Sequence, residues 1–214
     1  MAVRVKICGI TREADVDSAV SMGADAVGFI SGFPASPRNI SLERAGELAS
    51  RVPPFVSAVL VTTGETIQRS ESDVRKTGIG TIQLYGDAVD PGAVRTSLGV
   101  RLIRPYLVKS EGTRPAKAES NGFDALLTDT YRAGRQGGTG IISDWDFCRR
   151  IREEILPVRM ILSGGLRPEN VAEGIRAVRP FAVDVSSGVE SSPGVKDPDK
   201  IAEFIRRARE ANLQ

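Results

Sequence analysis

Eight short runs of β-branched and apolar residues alternate with stretches of helical periodicity, and this alternation constrains the fold more than any other feature. The expected strands are Val3–Cys8, Ala24–Ile30, Val56–Val61, Thr81–Leu84, Val100–Ile103, Ala125–Thr128, Arg159–Leu162 and Phe181–Val185. Between them, Val16, Ala19 and Val20 share a helix face that ends at Gly23. Ser41 is an expected N-cap for a helix burying Leu42, Ala45, Leu48 and Ala49, and Ser143 with Asp146 has the spacing of a capping box. Pro168 is an expected first helical residue before Val171, Ile175 and Val178, and Asp197-Pro198 opens a last helix carrying Ile201, Phe204, Ile205 and Ala208. Strands that alternate with helices pair in parallel through helical crossovers. The expected architecture is therefore α/β, a single (β/α)8 barrel domain over residues 1–214, with a doubly wound open sheet as the alternative. The fifth unit is the weakest, because Lys109–Asn121 is polar and poorly periodic.

Composition narrows the chemistry. The chain has two cysteines, no histidine and a net charge of +2. Without histidine there is no His-based triad, and a typical catalytic zinc site is not expected. Acid–base work falls to Cys, Asp, Glu, Lys or Tyr. The small net charge gives no electrostatic case for nucleic acid, and no apolar run is long enough to span a membrane. The N-terminus enters the first strand without a signal-peptide pattern, so a cytoplasmic location with Cys8 and Cys148 reduced is expected.

In Val3–Cys8, alternation places Val3, Val5 and Ile7 on one face and Arg4, Lys6 and Cys8 on the other. A polar face ending in a thiol suits a small barrel whose mouth is an active site, with the Lys6 ammonium favouring thiolate. The alternative is that Cys8 is a buried apolar filler. Function in a barrel lies in the loops after the strands. Those loops carry Cys8-Gly9, then Arg38 within Ser31–Arg38, then Asp129-Thr130 and Gly137–Gly140, then Ser163-Gly164-Gly165, and last Ser186-Ser187-Gly188. The paired glycine loops after the seventh and eighth strands have the form of a barrel phosphate site, in which backbone amides and a helix N-terminus hold the anion. Alternatively those glycines only make tight turns, and Asp129 only forms an Asx turn or a cap. Asp184 lies inside the eighth strand, where a buried carboxylate needs a partner; Lys6 is the inward-facing candidate, since strands one and eight adjoin in a closed barrel.

Taken in order, these segments resemble the phosphoribosylanthranilate isomerase family over essentially the whole length. The resemblance rests on Lys6-Ile7-Cys8-Gly9-Ile10-Thr11, Gly23–Phe29, Ser36-Pro37-Arg38, Gly137–Gly140 with Asp144-Trp145, Leu162–Leu166, Pro168–Val171, Val183–Glu190 and Gly194–Asp197. It implies a cofactor-free and metal-free Amadori rearrangement in tryptophan biosynthesis, an intramolecular oxidoreduction that turns an aminoaldose phosphate into a ketose phosphate. It also implies that Cys8 is the general base and Asp129 the general acid, with Arg38 on the anthranilate carboxylate. Gly164, Gly165, Asp184, Ser186, Ser187 and Gly188 are the remaining expected substrate-binding residues. A thiol near pKa ~8.5 needs a small downward shift for that role, whereas an aspartic acid must rise from about 3.9.

The chain departs from the family pattern after strands three and four, with Thr62-Thr63 for Asn and Tyr85 for His. A catalytically altered paralogue, or another phosphate-binding barrel acting on a related sugar phosphate, is the alternative function. The expected partner is a small phosphorylated molecule, and the expected assembly is a monomer or homodimer.

Overall fold

Eight parallel strands close on themselves in sequence order. They are β1 (Arg4–Cys8), β2 (Ala26–Ile30), β3 (Ser57–Thr63), β4 (Thr81–Tyr85), β5 (Arg101–Val108), β6 (Ala125–Arg132), β7 (Arg159–Leu162) and β8 (Ala182–Val185). Each pairs with the next, and β8 returns to β1, so the sheet is a barrel and the open-sheet alternative is excluded. The computed structural model describes residues 3–108, 116–132, 135–136 and 144–211. The helices are α1 (Glu13–Ser21), α2 (Leu42–Ala49), α3 (Gly64–Lys76), α4 (Pro91–Leu98), α5 (Ala116–Glu119), α6 (Trp145–Glu154), α7 (Val171–Val178) and α8 (Pro198–Glu210).

Local chemistry sets the helix starts. Ser41 accepts from the Arg44 amide as expected, and the Asp197 carboxylate accepts from the Asp199 and Lys200 amides with Pro198 at the first helical position. Two expectations move. The cap of α6 is Asp144, whose carboxylate accepts from the Phe147 amide at 3.0 Å, rather than Ser143, which lies outside the described residues. Helix α7 opens at Val171, three residues after Pro168, because Asn170 first folds the chain into a turn by accepting from the Arg167 amide.

Strands β5 and β6 run past the expected Val100–Ile103 and Ala125–Thr128. In β5 the Arg104-Pro105 pair interrupts the apolar run, and in β6 the added Asp129–Arg132 is largely polar, so hydrophobic patterning missed both extensions. Arg104 points outward from β5, where its guanidinium meets Glu119, Asp87 and the Gly86 carbonyl, while the backbone pairing with β6 continues from Ile103↔Ala125 to Val108↔Thr130.

Alternation splits the core in two. Outward residues such as Val5, Ile7, Phe29, Leu60, Leu102, Leu126 and Val183 form one large cluster with the helices. Inward residues Val59, Ile103, Ala125, Leu127, Ile161 and Ala182 fill the lower lumen. The packed interior leaves the C-terminal ends of the strands for polar residues. At the other end, one device recurs in both halves of the barrel. The Asp25 carboxylate, just before β2, accepts from the Val5 amide at 2.7 Å and from Arg209 of α8. Asp124, just before β6, accepts from the Leu102 amide at 2.8 Å and pairs with Arg95 of α4. Phe55 and Leu156, large exposed apolar side chains, lie in the α2–β3 and α6–β7 connections of that same end.

Asp25→Ala removes the partner of the Val5 amide and of Arg209 together. We expect a loss of about 1–3 kcal/mol in urea unfolding, as for an orphaned polar group, with no change at the opposite mouth; parent-like stability would show that the Asp25 contacts carry no net stabilisation.

Candidate active site

The mouth of the barrel is built on a buried ion pair. Lys6 and Asp184 are register partners across the β1–β8 seam, and Lys6 Nζ donates to Asp184 Oδ1 at 2.8 Å. The same ammonium donates to Gln83 Oε1 of β4 at 3.1 Å, and Gln83 Nε2 reaches the Tyr85 hydroxyl at 3.3 Å. One cation thus ties β1 to β8 and, across the lumen, to β4. Cys8 lies two residues above Lys6 on the same inward face and is buried. Room for the thiol comes from Gly28, its partner on β2. A Cβ there would stand 2.8 Å from the Cys8 sulfur and 3.1 Å from Lys6 Cε.

The electrostatics of this layer oppose one another. Burial and, more weakly, the Asp184 charge push the Cys8 thiol up, while Lys6 and, least, Lys196 pull it down; burial prevails, and the thiol titrates above its ordinary value. The small downward shift expected of a thiol base is not what this layer gives: Lys6 acts in the expected direction but does not outweigh desolvation. For Lys6, burial disfavours the ammonium, yet Asp184 and Cys8 more than offset it and its pKa rises. Tyr85 is raised well above the usual phenol value, first by burial and then by the charges of Asp129 and Cys8. Asp129 is buried on β6 and continues the inward row that begins with Ala125 and Leu127. Phe33, from the β2–α2 loop, packs edge-on against Tyr85 with ring centroids 5.3 Å apart.

Arg38 leans across Gly9, where a Cβ would stand 2.6 Å from Arg38 Cδ. Its fork is already engaged. Nε and Nη2 donate to the two Glu190 carboxylate oxygens at 2.8 and 2.6 Å, so the edge expected to meet a substrate carboxylate is committed to the protein. Glu190 also accepts from Lys196 Nζ at 2.7 Å. Burial raises the Glu190 carboxyl, but Arg38 and Lys196 overcome this and hold it below the ordinary value.

The two glycine loops touch. Gly164 and Gly165 both have positive φ (91° and 67°), and the Asn170 amide donates to the Gly165 carbonyl at 3.0 Å. At Gly188, in the 3-10 turn Ser187–Val189, a Cβ would lie 2.0 Å from the Leu166 carbonyl oxygen. Only glycine lets the loop after β8 approach the loop after β7 this closely. Ser186 Oγ is buried, with no hydrogen-bond partner among the described residues, and sits beside Gly9. An unpartnered buried hydroxyl of this kind calls for an occupant with polar atoms.

Cys8, Arg38, Asp184 and Ser186 therefore meet at one mouth, Asp129 stands on the same rim, and Gly164, Gly165, Ser187 and Gly188 belong to its two touching loops. Gly137–Gly140 lies outside the described residues. Sequence reasoning gave no site role to Gln83, Gly28, Glu190 or Lys196. Each left a signal: Gln83 interrupts an apolar strand, Gly28 stands inside another, and Glu190 and Lys196 are charged residues flanking a Gly-containing turn. The other thiol, Cys148, is fully buried on α6 and raised to about 11 by desolvation, as an inert core residue would be.

The family described as N-(5'-phosphoribosyl)anthranilate (PRA) isomerase matches residues 5–207. The N-(5'-phosphoribosyl)anthranilate isomerase of Thiobacillus denitrificans is 42% identical over 210 residues, covering 98% of this chain and 99% of that one. A crystal structure of phosphoribosyl anthranilate isomerase in complex with reduced 1-(o-carboxyphenylamino)-1-deoxyribulose 5-phosphate superposes with a TM-score of 0.80 at 37% identity, over 97% of this chain and 99% of that one. Mutationally generated monomers of the dimeric enzyme from Thermotoga maritima give a TM-score of 0.78 at 36% identity, over 96% and 98%. With this match spanning the barrel from β1 into α8, the chain belongs to the phosphoribosylanthranilate isomerase family and is an isomerase of the aldose–ketose class.

Proposed function

We propose that this chain converts N-(5-phosphoribosyl)anthranilate into 1-(2-carboxyphenylamino)-1-deoxyribulose 5-phosphate, without metal or cofactor, as a cytoplasmic step of tryptophan biosynthesis. The observation that carries the reading is a thiol and a carboxyl group on opposite strands of one polar mouth, beside two touching glycine loops. Asp129 gives its proton to the furanose ring oxygen; the C1–O bond breaks as the anthranilate nitrogen lone pair forms a C1=N bond, leaving the open chain as a protonated imine. Cys8 then takes the proton from C2 of the sugar, and the resulting enolamine tautomerises to the ketose. The Cys8 thiolate is the minority form near neutral pH, but the same burial that makes it scarce makes it a stronger base toward a carbon acid. Lys6 and Lys196 supply the cations that favour it.

The phosphate is held by the amides around Gly164, Gly165, Ser187 and Gly188, with the Ser186 hydroxyl beside them. Arg38 meets the anthranilate carboxylate through the guanidinium edge that Glu190 leaves open. The departures from the family pattern weigh unequally. Thr62 lies on the outward face of β3, fully buried, and Thr63 caps α3 by accepting from the Thr66 amide at 3.1 Å. Tyr85 borders the site beside its register partner Thr63, and its link to Gln83 joins it to Lys6. The apolar residues Phe55 and Leu156 lie at the far end, so a monomer and a homodimer formed through that end both leave the mouth open.

Turnover of phosphoribosylanthranilate generated in situ, followed by its fluorescence, tests the reading directly. Cys8→Ala should lower kcat by at least about a hundredfold, and Asp129→Asn should abolish turnover while a product analogue still binds. Asparagine forms the same local turns as aspartate, so near-parent rates in Asp129→Asn would reduce Asp129 to a turn-former, and retained kcat in Cys8→Ala would remove the thiol from the reaction. Iodoacetamide should modify Cys8, more slowly when the analogue is bound, and leave Cys148 unmodified.

The phosphate assignment has its own check. Gly165→Val puts a branched side chain where φ is 67° and where the phosphate approaches. We expect KM to rise ten- to a thousandfold, roughly 1–4 kcal/mol by affinity arithmetic, with the fold retained and with weaker competitive inhibition by inorganic phosphate. An unchanged phosphate inhibition constant would move the anion elsewhere in the mouth.

A further inference from the structure

The segment after β8 does more than end the phosphate loop. Glu190–Ser192 and Val195–Lys196 form a small antiparallel hairpin in which Glu190 and Lys196 are direct cross-strand partners. The hairpin grips two of the loops that carry expected site residues, those of Cys8 and Arg38. On the β1–α1 side, Thr11 Oγ1 donates to the Gly194 carbonyl at 2.7 Å, and the buried Asp15 accepts from the Lys196 amide at 3.4 Å while Arg12 holds Asp15. On the β2–α2 side, a Cβ at Gly194 would stand 2.9 Å from the Pro37 carbonyl oxygen, and Glu190 forks onto Arg38. From the hairpin, Lys196 Nζ reaches inward to Glu190 at 2.7 Å and to the Ser186 carbonyl at 3.1 Å, with its side chain fully buried.

A lysine and a glutamate sealed from solvent stabilise a fold poorly, since desolvation consumes most of their attraction. Their placement points to a different role. We propose that the Glu190–Lys196 pair is the positioning device of the active site: Glu190 fixes the Arg38 guanidinium so that its free edge meets the substrate carboxylate, and Lys196, held on Glu190 and on the Ser186 carbonyl, is a second cation that favours the Cys8 thiolate. Glu190 and Lys196 are positioning residues, acting through Arg38 and Cys8. The inference rests on the isomerase reading for the substrate but not for the thiol.

The groups that face Cys8 make the assignment specific. Their charges come from Lys6 on β1, Asp184 on β8, Tyr85 on β4, Arg38 on the β2–α2 loop and Lys196 on the hairpin; a Cβ on the adjoining Gly9 would stand 2.6 Å from Arg38 Cδ and 2.9 Å from Ser186 Oγ, and Lys196 Nζ reaches the carbonyl of that same Ser186. Lys6 is shared with Asp184 and Gln83, and Arg38 with Glu190. Removing Lys196 therefore subtracts one of the two ammonium groups near the thiol and also leaves Glu190 to Arg38 alone.

Two near-isosteric variants, Glu190→Gln and Lys196→Met, test the proposal. The first measurement is the pH dependence of Cys8 alkylation by iodoacetamide, read by peptide mass, which needs no substrate. Its midpoint should move to higher pH in Lys196→Met, by about half a unit or more for loss of a nearby cation. The second is steady-state kinetics. Glu190→Gln should raise KM by about ten- to a hundredfold, the scale of a lost charged hydrogen bond, with a smaller fall in kcat. Ser191→Ala, on the exposed side of the same hairpin, should leave both unchanged. If both variants lose activity only in proportion to their folded fraction, with the alkylation midpoint unmoved and KM at the parent value, the pair is structural and the proposal fails. A parent protein without turnover would overturn the isomerase reading instead, while the alkylation profile still decides the role of Lys196.

Discussion

The ion pair between Lys6 and Asp184 is the interaction on which the rest of this structure depends. It joins the first strand to the last at the seam where the barrel closes, and each partner is buried. Two buried charges are tolerated only when paired and hydrogen-bonded, and removing one partner typically costs about 3–5 kcal/mol. Closure of the fold and the placement of a cation under Cys8 are therefore one event. Gln83 extends the link across the lumen to β4, so the position of the ammonium is set from three strands rather than one.

From that fixed cation the properties of the mouth follow. The apolar plug of Val59, Leu127 and Ile161 beneath it keeps the polar layer at the C-terminal ends of the strands. Gly28 and Gly9 are small because a thiol and an arginine stem occupy the space a side chain would take. Burial holds Cys8 mainly as the thiol, and cations on two sides keep the thiolate accessible. A base prepared in this way is protected from chance alkylation and oxidation, which act on exposed thiolates.

Much of this was legible in the sequence. Runs such as Val3–Cys8 and Arg159–Leu162 carry a strand signal because burial on the outer face demands large apolar residues at every second position, Val3, Val5 and Ile7 in one and Met160 and Leu162 in the other, and the pairing of Lys6 with Asp184 follows once strands one and eight adjoin. The ends of β5 and β6 carried no such signal: Arg104-Pro105 interrupts the run in β5 and Asp129–Arg132 is largely polar, while the backbone of Arg104–Val108 is held by pairing with β6 and by the outward contacts of Arg104. Arg38 could be read as a planar cation in a loop, but not as one already bound. Its partner Glu190 is 152 residues away and meets it only through the hairpin after β8. Nor does local sequence report desolvation, which is why the direction of the Cys8 shift was missed although the influence of Lys6 was read correctly.

The central claim is that Lys6, fixed by Asp184, sets the ionisation of the thiol above it. The most direct measurement is the thiolate absorbance of Cys8 near 240 nm as a function of pH, in the parent and in Lys6→Met, each compared with its own Cys8→Ala variant to remove the background. The account predicts that the parent titrates above the ordinary thiol value of about 8.5, because burial prevails, and that Lys6→Met titrates higher still, because the cation that opposed burial is gone. A parent midpoint at or below the ordinary value, or a Lys6→Met midpoint that does not rise, would contradict it.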